Sequence, residues 1–168
     1  GELYRLAGQY GKAIEHYQQA RYWSLELSRD FAVAINSVNI ALMYANQEQY
    51  DDALEQWNDV FQRLGQKNEA LLERVRPAAL GVWSATGQWA LWHQHIDAAI
   101  AMTASGDCGI DLLDAYADAC RTSWDNGASG RVFDFARQIE TALHQCGDHA
   151  MTENIARKVQ VIRRMERP

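Results

Sequence analysis

Apolar residues recur along this chain at steps of three and four, the period of an amphipathic helix. Phe31, Ala34, Ile35, Val38, Ala41, Leu42 and Ala45 form one such stripe, with Asp30 placed to cap its start. Asn46 to Gln49 interrupts the pattern. The next helix opens at Asp51 or Asp52 and carries Ala53, Leu54, Trp57, Val60, Phe61 and Leu64. Gly65 is the residue expected to close it, as glycine accepts the left-handed C-cap conformation. Another stripe opens at Asn68 and runs through Leu71, Leu72, Val75, Ala79, Leu80 and Trp83. Pro77 lies inside it and predicts a kink or a late helix start, because it removes a backbone donor and crowds the preceding turn. Helices are further predicted from about Ile110 to Trp124 and from Arg131 to Gln145, with a turn through Asn126 to Gly130 between them. Cys146 and Gly147 end the second of these, and a last helix starts near Asp148. Met151, Ile155, Val159 and Ile162 form its apolar face, and Arg157, Lys158, Arg163 and Arg164 its charged one.

The same pattern returns along the chain. Tyr4, Gly8, Tyr10, Ala13, Tyr17 and Ala20 are echoed by Tyr44, Glu48, Tyr50, Ala53, Trp57 and Val60. The third pass reads Trp83, Gly87, Trp89, Trp92, Ile96 and Ala99, and the fourth Ser123, Gly127, Ser129, Val132, Ala136 and Ile139. The intervals between Gly8, Glu48, Gly87 and Gly127 are forty, thirty-nine and forty residues. A fixed period of this size is the mark of stacked supersecondary units. Such units bury their apolar faces against their neighbours, and their product is an extended surface.

The phrases GQYGKAIEHYQQA from Gly8 and QYDDALEQWNDV from Gln49 resemble the heart of a tetratricopeptide repeat. The resemblance assigns Ala13 and Ala53 to close helix contacts, Tyr17 and Trp57 to the space between repeats, and Tyr10 and Tyr50 to the turn. The usual unit has about 34 residues. The longer one here is similar to the long-helix variant found in cell-polarity adaptors and in many bacterial regulators and signalling ATPases. The third repeat departs at Trp92, where a small residue belongs, and this predicts wider helix spacing or a shifted register. The fourth keeps Gly127 but carries Ser129 in place of the turn aromatic. The expected fold is all-α, a right-handed α-α superhelix of about four helix pairs. It is read as a single domain over 1–168, with repeats at about 1–28, 29–67, 68–106 and 107–147 and a capping helix at 148–168.

Composition narrows the functional classes. With 48% hydrophobic residues among 168, the chain can build a sizeable core. A net charge of −6 without a basic stripe argues against nucleic acid as a partner. No apolar run approaches the ~20 residues of a membrane span. Cys108, Cys120 and Cys146 are odd in number and widely spaced, which fits a reducing, cytoplasmic setting better than a disulfide framework.

The chain carries no GxSxG, no HExxH and no phosphate-cradling glycine loop, so neither an enzyme nor a cofactor is expected. His93 and His95 are two apart and point to different faces of a helix, which makes them a poor metal pair. Cys146 and His149 bracket a turn without a second pair to complete a zinc site. Trp57, Trp83, Trp89 and Trp92 fall on repeat core positions; Trp124 is the tryptophan expected at a binding groove. Asp111, Asp114, Asp118 and Asp125 follow at steps of three, four and seven, on one helix face. By register with the family, the inner, ligand-holding face of the array carries Asn39, Leu42, Asn46, Arg74, Asp114, Asp118, Arg121, Trp124 and Asp125.

The function expected is therefore protein–protein interaction, with a peptide or partner helix in a concave groove, a basic one where the acidic stripe recruits it. The alternative is a regulatory, oligomerising or ligand-sensing segment of a larger bacterial signalling protein, such as a transcription regulator or ATPase. Tyr4 already stands near the end of its helix, whereas the equivalent helix before Tyr44 starts at Asp30. The chain thus reads as a fragment whose first repeat lacks most of one helix, and either self-association through that repeat or mobility of its N-terminal residues is expected.

Overall fold

A computed structural model describes residues 1–106, 108–146 and 151–166. The described residues are helical throughout, with no strand among them. In chain order the helices are α1 (Glu2–Leu6), α2 (Tyr10–Glu26), α3 (Asp30–Asn46), α4 (Tyr50–Lys67) and α5 (Glu69–Val75). A 3-10 segment (Arg76–Ala79) leads into α6 (Leu80–Ala85), followed by α7 (Trp89–Ala104), α8 (Ile110–Asp125), α9 (Arg131–Gln145) and α10 (Thr152–Met165). The chain divides into two compact units, Gly1–Glu73 and Arg74–Pro168.

The repeat is written into the turns. Gly8, Glu48, Gly87 and Gly127 all adopt positive φ, at 69°, 59°, 72° and 93°. Each donates its backbone N–H to the carbonyl three residues back: Gly8 to Arg5 at 3.0 Å, Glu48 to Ala45 at 3.0 Å, Gly87 to Ser84 at 3.2 Å and Gly127 to Trp124 at 2.9 Å. The following residue donates to the carbonyl five back: Gln9 to Tyr4, Gln49 to Tyr44, Gln88 to Trp83 and Ala128 to Ser123, at 2.7 to 3.0 Å. This paired bonding is the Schellman motif, which satisfies the carbonyls a helix end leaves open. In the first three turns the next helix begins at once, with Tyr10, Tyr50 or Trp89. In the fourth, Ser129 replaces that aromatic and α9 starts only at Arg131, after a second left-handed residue, Gly130.

Several helix ends differ from the sequence reading. Asp30 is the first residue of α3 rather than its cap; Arg29 takes the cap position, and Asp30 binds Lys67 at 2.6 Å instead. Tyr50, not Asp51 or Asp52, opens α4. Gly65 lies inside α4, which runs on to Lys67, because αR is as open to glycine as the left-handed state and nothing downstream forces the stop. Asn68 stands just before the next helix, its side-chain oxygen accepting the Leu71 N–H at 3.0 Å. Pro77 sits at the start of the 3-10 segment that separates α5 from α6, the late start expected of it.

In the first unit α2 packs on α1 and α3, and α3 on α4. Ala13, Ile14, Tyr17, Ile40 and Met43 form a core cluster, with Tyr4, Tyr10, Leu42 and Tyr44 against it. In the second unit α6 and α8 pack together, as do α7 and α9, and α10 packs on both α8 and α9. In the second unit, helices two apart in sequence thus pack on one another.

Trp92, where the repeat pattern asks for a small residue, is taken into the core. It is fully buried, and its indole N–H donates to Ser123 Oγ at 3.0 Å. In the first two repeats a small residue, Ala13, shares its cluster with an aromatic, Tyr44. Between the third and fourth the sizes are exchanged, the aromatic at 92 and the small residue at 123. Separately, α6 approaches α8 closely at Gly81, whose absent Cβ would lie 3.0 Å from the Ala119 Cα.

Candidate functional site

The residues assigned to a binding face separate between the units. Asn39, Leu42 and Asn46 lie on α3 of the first unit, Arg74 on α5 at the start of the second, and the others on α8. Asn39 is half-buried and Asn46 exposed at the last residue of its helix, while Leu42 packs on the core cluster around Ile40 and Met43. Arg74 is exposed, and its backbone carbonyl accepts the Tyr116 hydroxyl. Burial pushes the Tyr116 phenol well above its ordinary range, so it serves as a neutral donor tying the backbone at Arg74 to α8.

On α8 the acidic stripe is real, and it has an occupant. Lys158 of α10 reaches Asp114 Oδ1 at 2.7 Å and Asp118 Oδ1 at 2.6 Å. The Asp114 side chain is 8% exposed and that of Lys158 22%. Burial lowers the lysine pKa, but the Asp118 and Asp114 carboxylates outweigh it, and the net shift is upward. Ile155, Val159 and Ile162 of the same helix are fully buried. The sequence reading put Lys158 on the outer, charged face, and the structure turns it inward. The signal was present: Lys158 is three residues after Ile155 and four before Ile162, in the middle of the apolar stripe. The capping helix was expected from about Asp148, a residue outside those described; α10 is described from Thr152.

The rest of the α8 face is more open. Arg121 and Asp125 pair with one another at 2.7 Å, one turn apart, with both side chains more than two-fifths exposed. Trp124 is half-buried, its ring 5.3 Å from that of Phe133 on α9. Asp111 is exposed one turn before Asp114. The stripe therefore has a closed middle, held by Lys158, and accessible ends.

Other candidates are dispersed. His93 is exposed and lies edge-on to Trp92, with ring centroids 5.1 Å apart, while His95 is half-buried beside Trp83 at 5.3 Å. Cys108 and Cys120 are buried free thiols, and Cys146 is exposed; His149, its suggested partner, is outside the described residues. Burial alone holds the Cys120 thiol far above its usual pKa, which makes it an inert core residue. Among the described residues no three His, Cys, Asp or Glu side chains gather to hold a metal ion.

The sequence reading put Phe31 in the apolar stripe of its helix, whereas the structure exposes it, with four other large apolar side chains. Tyr22, Trp23, Leu25 and Leu27 at the end of α2, with Phe31 at the start of α3, are all about half exposed. Trp23 is 56% exposed and Phe31 59%. Forty residues later, Gln62 and Arg63 occupy the places of Tyr22 and Trp23, as solvent-facing positions ordinarily require. Comparing the repeats with each other would have revealed it.

No family model, no curated protein and no solved structure matches the chain. No described helix is long and apolar enough to cross a membrane.

Proposed function

We propose that the chain is a non-enzymatic protein-interaction module of the tetratricopeptide type, cytoplasmic, whose helix pairs wind into a right-handed superhelix and bind a peptide or partner helix. The observation that carries this reading is the acidic clamp on α8. Asp114 and Asp118 together grip a lysine on an amphipathic helix laid across α8 and α9. This is helix-in-groove recognition: apolar anchors at one helical spacing and a charge that fixes the register. The ends of the same stripe, at Asp111, Arg121, Trp124 and Asp125, are the contacts proposed for an incoming partner. The test is a peptide array of basic, acidic and neutral amphipathic helices probed with the full chain. Basic helices bind selectively and weaken as salt is raised, because exposed charges are screened within about 8–10 Å. Binding to no helix, or to all alike, would sink the proposal.

A second reading is favoured by the apolar patch around Trp23 and Phe31. Large exposed apolar side chains gathered within residues 22–31 are candidates for a protein contact. In this reading the first repeat is an oligomerising surface, as in the regulatory segment of a larger signalling protein.

A further inference from the structure

The seat on α8 and α9 is complete as it stands, which raises the question of how any other helix would use it. α10 packs on α8 and α9. Its buried residues are Ile155, Val159 and Ile162, and its remaining surface is mostly polar. The ion pair from Arg137 to Glu166, at 2.6 Å, links its end to α9, but such exposed pairs hold weakly. The Lys158 clamp contributes selectivity more than strength. Taking an ammonium group and two carboxylates out of water offsets most of their attraction. A lysine there instead dictates which helices fit, since a helix with an acidic residue at that place sets a third carboxylate against Asp114 and Asp118.

Resting on the interaction reading above, we infer that α10 is an exchangeable occupant of the α8–α9 seat. A partner's basic amphipathic helix, with a lysine three residues after its first apolar anchor, competes with α10 for it. The chain's last helix is then a built-in inhibitor. A tethered helix acts at an effective concentration in the millimolar range, so an untethered competitor succeeds only when it binds better or when α10 is loosened.

The test uses the full chain and a labelled peptide of residues 151–166. Val159→Asp loosens α10 without touching α8 or α9. The peptide binds this variant at least about tenfold more tightly than the wild type, because the tethered competitor is removed. The same peptide carrying Lys158→Glu loses at least about tenfold in affinity for the variant, because it meets two carboxylates with a third. Equal affinity for wild type and variant, or indifference to the Lys158→Glu change, overturns the inference. Should Val159→Asp unfold the chain, hydrogen exchange of the wild type decides. Amides of α10 exchange at least about tenfold faster than those of the middle of α8 if it opens by itself, and equal protection overturns the inference. A dimer formed by swapping α10 between copies assigns the seat to a second copy and also overturns it. If array helices bind wild type and Val159→Asp alike, the chain remains an interaction module while α10 is not its inhibitor.

Discussion

At the scale of single residues, the repeat is a backbone rule that glycine satisfies three times and glutamate once. Glu48 holds φ of 59°, a conformation that costs an L-residue roughly 1–2 kcal/mol. Glu48→Gly is therefore expected to stabilise the chain by about 0.5–1 kcal/mol, and Gly87→Ala to destabilise it by about 1 kcal/mol, in urea melts. No change at either position would mean that the turns are not the matched elements their hydrogen bonds make them. The turns were legible in the sequence because a glycine that returns at a fixed interval marks a backbone position that L-residues with a Cβ rarely take. The size exchange between Trp92 and Ser123 was not, since it is a property of a pair and each residue alone looks like an error. It gives a comparison of two tryptophans of equal burial. Trp92 donates to Ser123, while the Trp57 indole N–H has no acceptor among the described residues. Trp92→Phe and Trp57→Phe remove the same atoms, but only the first loses a hydrogen bond. Thermal melts should show the Trp92 variant less stable than the Trp57 variant by about 1 kcal/mol. Equal losses would remove the pairing from the account.

At the scale of the element, α10 shows why a helical wheel must be read strictly. Its four apolar positions were evident, and a charged residue among them was assigned outward by type rather than by angle. The consequence reaches the acidic stripe. On sequence grounds Asp114→Asn with Asp118→Asn should disturb binding and leave the fold alone. With Lys158 lying between the carboxylates, the double substitution leaves a buried ammonium without a counter-charge and is expected to cost about 1–3 kcal/mol, read as a lower melting temperature. The same clamp has an alkaline limit. The folded-state pKa of Lys158 is raised above the unfolded value of about 10.4. Its contribution is then fully present below that pH and is lost as pH rises through the higher folded value. Hydrogen exchange or proteolysis should find α10 loosening at strongly alkaline pH in the wild type, and much less in Lys158→Met, which has no charge to lose. A wild type and a methionine variant that loosen together would show that the clamp does not hold the helix.

At the scale of the whole chain, each unit presents its own chemistry. The second unit carries the acidic stripe and its lysine, and the first exposes Tyr22, Trp23, Leu25, Leu27 and Phe31. These surfaces predict opposite responses to salt. Recognition by carboxylates weakens as ions screen it, whereas contact through aromatic and aliphatic side chains does not, and strongly excluded salts strengthen it. If the patch is an oligomerising surface, sedimentation of the wild type across a dilution series shows association that survives high salt. Trp23→Gln with Phe31→Gln abolishes that association, and the fold is preserved because both side chains are more than half exposed. The polar residues Gln62 and Arg63 at the equivalent places of the second repeat indicate that the fold tolerates such a change at position 23. A wild type that stays monomeric at every concentration, or an association that dissolves as salt is added, would remove the patch from the functional surface. Binding would then rest with the charged face of α8.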